Sequence, residues 1–139
     1  MADATVAKRI SPMLAAEDMD ATLAFYRKVL GFVPMLETGE YAIVERDGQT
    51  IHFIKAASEE VMTCVRGHTE IYIEVCGIAE LWKHVRNFKE RYRVRDLFER
   101  KYGMTEFHIE DPNGCLVFVG EATAKRASRE SEGIGGRKV

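Results

Sequence analysis

Apolar residues recur along this chain in two rhythms, and the order in which they appear predicts the fold. Ile10 to Ala16 is an apolar run suited to a strand, and Met19, Leu23, Tyr26, Val29 and Leu30 then fall three and four apart, which predicts a helix with one buried stripe. Asp18 or Asp20 is placed to cap that helix, and Gly31, which enters the left-handed conformation cheaply, to end it. Strand candidates follow at Phe32–Leu36, Tyr41–Glu45 and Thr50–Lys55, with Asp47-Gly48 as the turn between the last two.

The same order then returns. Ile71, Ile73 and Val75 alternate with Glu70, Tyr72 and Glu74, the two-residue period of a half-buried strand. A second helix begins near Gly77 and buries Ile78, Leu81, Trp82, Val85 and Phe88; strands around Tyr92–Leu97 and Thr105–Ile109 precede an Asp111-Pro112-Asn113-Gly114 turn into Cys115–Val119. An offset of 59 residues lays the second helix stripe on the first, and an offset of 66 lays Gly114 on Gly48 and Val119 on Phe53. The expectation is one α+β domain over 9–122, built from two tandem βαβββ modules at 9–56 and 69–122. Residues 1–8 read as a polar lead. The stretch 123–139 has no periodicity, and its composition predicts disorder.

Composition narrows the partners. At 139 residues and 46% hydrophobic content the chain supports one core, and 20 Lys+Arg against 22 Asp+Glu leave no strong field for nucleic acid or a membrane surface. Cys64, Cys76 and Cys115 are odd in number and lack CxxC spacing, so they read as free thiols rather than a disulfide or zinc framework. No apolar run approaches the roughly 20 residues of a membrane span, and the first ten residues lack a signal peptide's features. A cytoplasmic protein with a small-molecule partner is the resulting expectation.

Candidate chemistry concentrates on strands. His52 lies between Ile51 and Phe53 and so faces away from their layer, either as a hydrogen-bonded sheet histidine or as a ligand contact. Glu70 and Tyr72 share one face of their strand; Glu106 and His108 alternate with Phe107 and Ile109 and share another. Phe118 is either core or part of an aromatic lining suited to a flat organic ligand. Cys115 has no activating cation nearby in sequence. Phosphate loops, GxSxG elbows and HExxH helices are absent from the sequence, and no catalytic residue can be assigned from it.

The run Asp18-Met-Asp-Ala-Thr-Leu-Ala-Phe25-Tyr26-Arg-Lys-Val-Leu30-Gly31-Phe32 resembles the first signature of the vicinal oxygen chelate superfamily, which includes glyoxalases, bleomycin-resistance proteins and extradiol dioxygenases. Glu106 to Phe118, through Asp111-Pro112-Asn113-Gly114, resembles its closing hairpin, and Glu45-Arg46-Asp47-Gly48 with Glu106-Phe107 is similar to the bleomycin-resistance branch. The resemblance implies curved sheets forming a cup with helices outside, and a homodimer. It also implies metal-ligand positions at Ser11, His52, Glu70 and Phe118, of which only His52 and Glu70 carry suitable donors. Two functions follow as expectations. The first is a cofactor-free protein of the bleomycin-resistance type, sequestering a small molecule at a dimer interface through His52, Glu70, Tyr72, Phe118, Glu106 and His108. The alternative is a glyoxalase-like lyase, isomerase or dioxygenase using Zn, Ni, Mn or Fe at His52 and Glu70.

Overall fold

Asp18 performs the capping its position predicts: its carboxylate accepts from the Ala21 N–H at 3.0 Å and opens helix α1, Met19–Lys28. The computed structural model describes residues 3–136, and the chain divides into two compact units, Met1–Thr63 and Cys64–Val139. In the first unit, strand β1 (Met13–Ala16) precedes α1, and β2 (Val33–Glu37), β3 (Tyr41–Arg46) and β4 (Gln49–Lys55) follow it. The sheet order is β1-β4-β3-β2, with β1 parallel to β4 and the other pairs antiparallel. Asp47 and Gly48 both take positive φ, 51° and 81°, so the two-residue hairpin has the twist that flanking strands require. Tyr26 on α1 packs on Phe53 at 4.9 Å and on Phe32 at 6.1 Å, burying the stripe that the helical spacing marks.

The second unit repeats the plan. Strand β5 (Thr69–Glu74), helix α3 (Ile78–Val85) with a 3-10 turn at Arg86–Phe88, and strands β6 (Val94–Glu99), β7 (Met104–Glu110) and β8 (Cys115–Ala122) form a sheet of order β5-β8-β7-β6. Trp82 on α3 stacks on Phe107 at 5.3 Å, and Phe107, Ile109, Val117 and Val119 are fully buried. Both edge strands bulge at matching places, between Pro34 and Leu36 and between Arg95 and Phe98, which bends each edge away from regular pairing. The α+β class and the tandem βαβββ order are therefore as the sequence predicts.

Register confirms the two offsets. Met13 pairs with His52 and Tyr72 with Phe118, so residues 59 apart on the first strands meet residues 66 apart on the last. Asp111 shapes the longer second hairpin, its Oδ1 accepting from the N–H groups of Asn113 and Cys115 at 2.8 and 3.0 Å.

Two helices lie where the sequence pattern predicts none. Helix α2, Glu59–Val65, fills the connection between modules; at under two turns, with only Met62 buried, it has no legible stripe. Helix α4, Ala124–Gly136, occupies the stretch whose composition predicts disorder, and residues 137–139 of that stretch, like residues 1 and 2 of the lead, lie outside the described residues. It is seated by the Thr123 N–H on the Gly103 carbonyl at 2.9 Å and by Arg126 Nη1 on the Tyr102 carbonyl at 3.1 Å. Neither contact is visible in local periodicity. Among the described residues no helix is long and apolar enough to cross a membrane.

Candidate functional site

The second sheet turns one face to α3 and the other away from it, and the two-residue period decides which side chains the second face carries. Its rows follow from pairing. Tyr72, Phe118, His108 and Arg95 are mutual neighbours across β5, β8, β7 and β6, and the adjoining row holds Glu74, Gly120, Glu106 and Phe98. Sequence reasoning places Tyr72, Glu106, His108 and Phe118 among the candidates, and the fold brings these four together in one unit.

Glu106 is the centre of the arrangement and has no exposed surface. His108 Nε2 lies 2.8 Å from its Oε1, the Tyr72 hydroxyl donates to its Oε2 at 2.8 Å, the Tyr102 hydroxyl donates to the same oxygen, and Arg100 Nε stands 3.9 Å from Oε1. Burial alone raises a carboxyl pKa, but the hydrogen bonds from His108, Tyr102 and Tyr72 outweigh it and hold Glu106 below its ordinary value. The converse applies to Tyr72 and Tyr102, whose pKa values rise through burial and through hydrogen bonding to the carboxylate. An ionised carboxylate only accepts, so the His108 proton facing it must sit on Nε2. His108 then lies 3.9 Å from the Phe118 ring centre in tilted contact and edge-on to Phe98 at 5.2 Å.

Gly120 makes the network possible. A methyl group at 120 would lie 2.0 Å from the Tyr72 hydroxyl and 3.2 Å from Glu106 Cγ, so only a residue without Cβ lets the phenol cross β8 to the carboxylate. On the far side, the Arg95 guanidinium lies 3.8 Å from the Phe98 ring centre, and Arg100 faces Phe98 and Tyr102 at 5.4 and 4.9 Å. A cleft of about 460 Å³ opens beside this face, with His108, Arg95, Arg93, Glu110 and Leu116 in its lining. Sequence reasoning missed Arg95, Phe98, Arg100, Tyr102 and Gly120. A glycine inside a strand pattern was the one available signal, because it marks close approach of another group.

The remaining candidates take no part in the hydrogen bonds around Glu106. Glu70 is exposed and pairs with Leu116, one row beyond Tyr72. His52 belongs to the first unit, on the face away from buried Ile51 and Phe53, and its Nδ1 shares a hydrogen bond with the Tyr41 hydroxyl. Ser11 precedes β1 and shares a hydrogen bond with Thr50, not with His52, whose neighbour is Met13. The family's metal positions thus hold an engaged hydroxyl, an imidazole with one nitrogen occupied, an exposed carboxylate and a phenyl ring. Among the described residues of either unit, no group of three His, Cys, Asp or Glu side chains is arranged to hold a metal. Of these four side chains only the imidazole and the carboxylate are good donors to a divalent ion. Cys115 is buried, and burial and the nearby Asp111 carboxylate push its thiol up to about 11, far from a reactive thiolate.

Comparison with known proteins agrees with this architecture. A family model described as the Glyoxalase/Bleomycin resistance protein/Dioxygenase superfamily matches residues 8–119. No match is found among curated proteins. Among solved structures, a bleomycin resistance determinant encoded on the transposon Tn5 superposes with a TM-score of 0.70 at 19% identity, covering 84% of this chain and 98% of the other. The bleomycin-binding protein of bleomycin-producing Streptomyces verticillus, complexed with copper(II)-bleomycin, gives 0.68 at 22% identity over 83% and 96%. A glyoxalase-related enzyme from Clostridium phytofermentans gives 0.68 at 19% identity over 86% and 98%. At such identities the structural likeness speaks for the fold, while the family match spans most of the sequence. The chain belongs to the glyoxalase/bleomycin resistance protein/dioxygenase superfamily.

Proposed function

We propose that this protein binds and sequesters a planar, heteroaromatic small molecule of the bleomycin kind, without a metal of its own and without altering the ligand chemically. The observation that carries the reading is the row Tyr72–Phe118–His108–Arg95 beside a cleft of about 460 Å³, with His108 held against Phe118 by the buried Glu106. Rings locked by packing and hydrogen bonds stack on a flat ligand without first losing rotamer freedom, so preorganisation favours affinity. Exposed Glu70 and Glu74 flank Tyr72 and favour a ligand with positive charge, while Arg95 extends the aromatic surface through Phe98. Likeness of fold to two bleomycin-related proteins supports the choice of ligand class.

The reading includes a second copy of the chain. On the first unit's face away from α1, Met13 and Ile54 are 56% and 42% exposed, and Val33, Met35 and Leu36 on edge strand β2 are also open. Exposed apolar side chains in this number on one sheet and its edge are costly to leave in water and suit a self-complementary interface. Sedimentation equilibrium tests this part: a dimer is expected, and Met13→Lys with Ile54→Lys shifts it to monomer.

Calorimetric titration with metal-free and copper(II)-loaded bleomycin tests the function. Saturable binding is expected, with His108→Ala weakening it about tenfold through loss of the buried ring that holds Phe118 and Phe98 in place. Absence of saturable binding for both forms removes bleomycin as the ligand. The metal-dependent alternative has its own check: added nickel, zinc, manganese or iron is expected to leave affinity and thermal stability unchanged, and a rise in either favours the enzyme.

A further inference from the structure

Away from that face, the turn between β6 and β7 and the start of α4 form the walls of a second cleft, of about 500 Å³. Its lining carries five cations, Arg100, Lys101, Lys125, Arg126 and Arg129, against two carboxylates, Glu99 and Glu130. The whole chain has a net charge of −2, so this concentration of positive charge is local and runs against the overall balance.

The walls are fastened together. Thr123 N–H meets the Gly103 carbonyl at 2.9 Å, and Arg126 Nη1 meets the Tyr102 carbonyl at 3.1 Å while its Nε pairs with Glu130 at 2.9 Å. Gly103 takes φ +86°, and a Cβ there would stand 2.9 Å from Arg126 Cβ; the bare turn is what lets the Arg126 stem lie across it. Arg126 and Glu130 therefore neutralise each other as part of the frame. Lys101, Lys125 and Arg129 have no ion-pair partner among the described residues, and Arg100 is the only other lining cation, its charge shared toward Glu106 at 3.9 Å. Lys125 and Arg129 are four apart on α4 and so project from one side of it, with Lys101 on the opposite wall.

Three unpaired cations line two walls of one cleft, with Glu99 as the one lining carboxylate outside an ion pair, so a net positive charge is left facing the space between the walls. We infer that this cleft is a binding site for a small polyanion of the polyphosphate or phosphate-ester class. Such an anion has several oxygens at separations that match cations on two walls, whereas a single carboxylate meets only one wall.

The probe is tripolyphosphate, titrated calorimetrically at low ionic strength into the full chain, into the pair Lys101→Glu/Arg129→Glu, and into a charge-matched control, Arg27→Glu/Lys28→Glu on α1. Saturable one-site binding is expected, weakened about tenfold or more in the cleft pair and less than about threefold in the control. Arg129→Gln, which removes charge without reversing it, is expected to weaken binding by about threefold to tenfold while far-UV circular dichroism keeps the helix signal. No saturable binding, or equal weakening in the cleft pair and the control, overturns the inference. Tighter binding of a short single-stranded RNA than of tripolyphosphate overturns it in favour of a nucleic-acid surface.

Discussion

One scaffold is used twice in this chain, and the two sheets use equivalent positions in opposite ways. By register, Met13, His52, Ile43, Tyr41 and Ile54 of the first unit occupy the places of Tyr72, Phe118, His108, Glu106 and Gly120 in the second. The second unit fills those places with a buried carboxylate, an imidazole, two aromatic rings and a glycine that lets them meet. The first has apolar side chains exposed at Met13 and Ile54 and a single Tyr41–His52 hydrogen bond. The fold fixes where side chains point; whether a face becomes a polar recognition surface or an apolar contact surface is decided by a handful of residues on it.

The largest expected break in that comparison is Glu106→Ala. It removes the acceptor shared by the exposed Tyr72 and Tyr102 and leaves the buried His108 N–H without a partner, and a loss of about 3 kcal/mol is expected by urea denaturation. Removing the matching hydroxyl with Tyr41→Phe is expected to cost less than about 1 kcal/mol, because a single part-buried hydrogen bond is lost. Next comes Gly120→Ala, which forces Tyr72 off Glu106 and costs about 2 kcal/mol, against about 0.5 kcal/mol for Ile54→Ala at the equivalent exposed position. Tyr102→Phe, leaving Tyr72 and His108 on the carboxylate, is expected to cost about 1 kcal/mol.

The smallest effect is in pH dependence. Glu106 is depressed on folding, so its contribution is present above the ordinary carboxyl value near 4.5 and lost as pH falls through the lower folded value. Tyr72 and Tyr102 are raised, so theirs is present below the ordinary value of 10.0 and lost as pH rises toward the higher folded value. Thermal melts across pH should therefore fall off at both ends, and Glu106→Gln should flatten the acid limb.

Much of this is legible in the amino-acid sequence. Helical spacing located α1 and α3, Asp47-Gly48 located the first hairpin, and the two offsets carried the repeat, because each is a local signal of backbone chemistry or of one buried stripe. Tyr72, Glu106, His108 and Phe118 were legible as alternating residues on their strands. Their convergence on one carboxylate was not, since it depends on register between β5, β8 and β7, which no single strand encodes. Arg95 and Phe98 escaped because a bulge separates them, and α4 because its seat is a distant turn rather than its own periodicity.

Phe118 and His52 hold equivalent positions in the two units, and they separate the proposed recognition face from its duplicate most directly. Bleomycin affinity should be measured calorimetrically for the unaltered chain, for Phe118→Ala and for His52→Ala. Saturable binding is expected, weakened about tenfold by Phe118→Ala and by less than about threefold by His52→Ala. Equal losses at the two positions, or the greater loss at His52, would contradict that assignment.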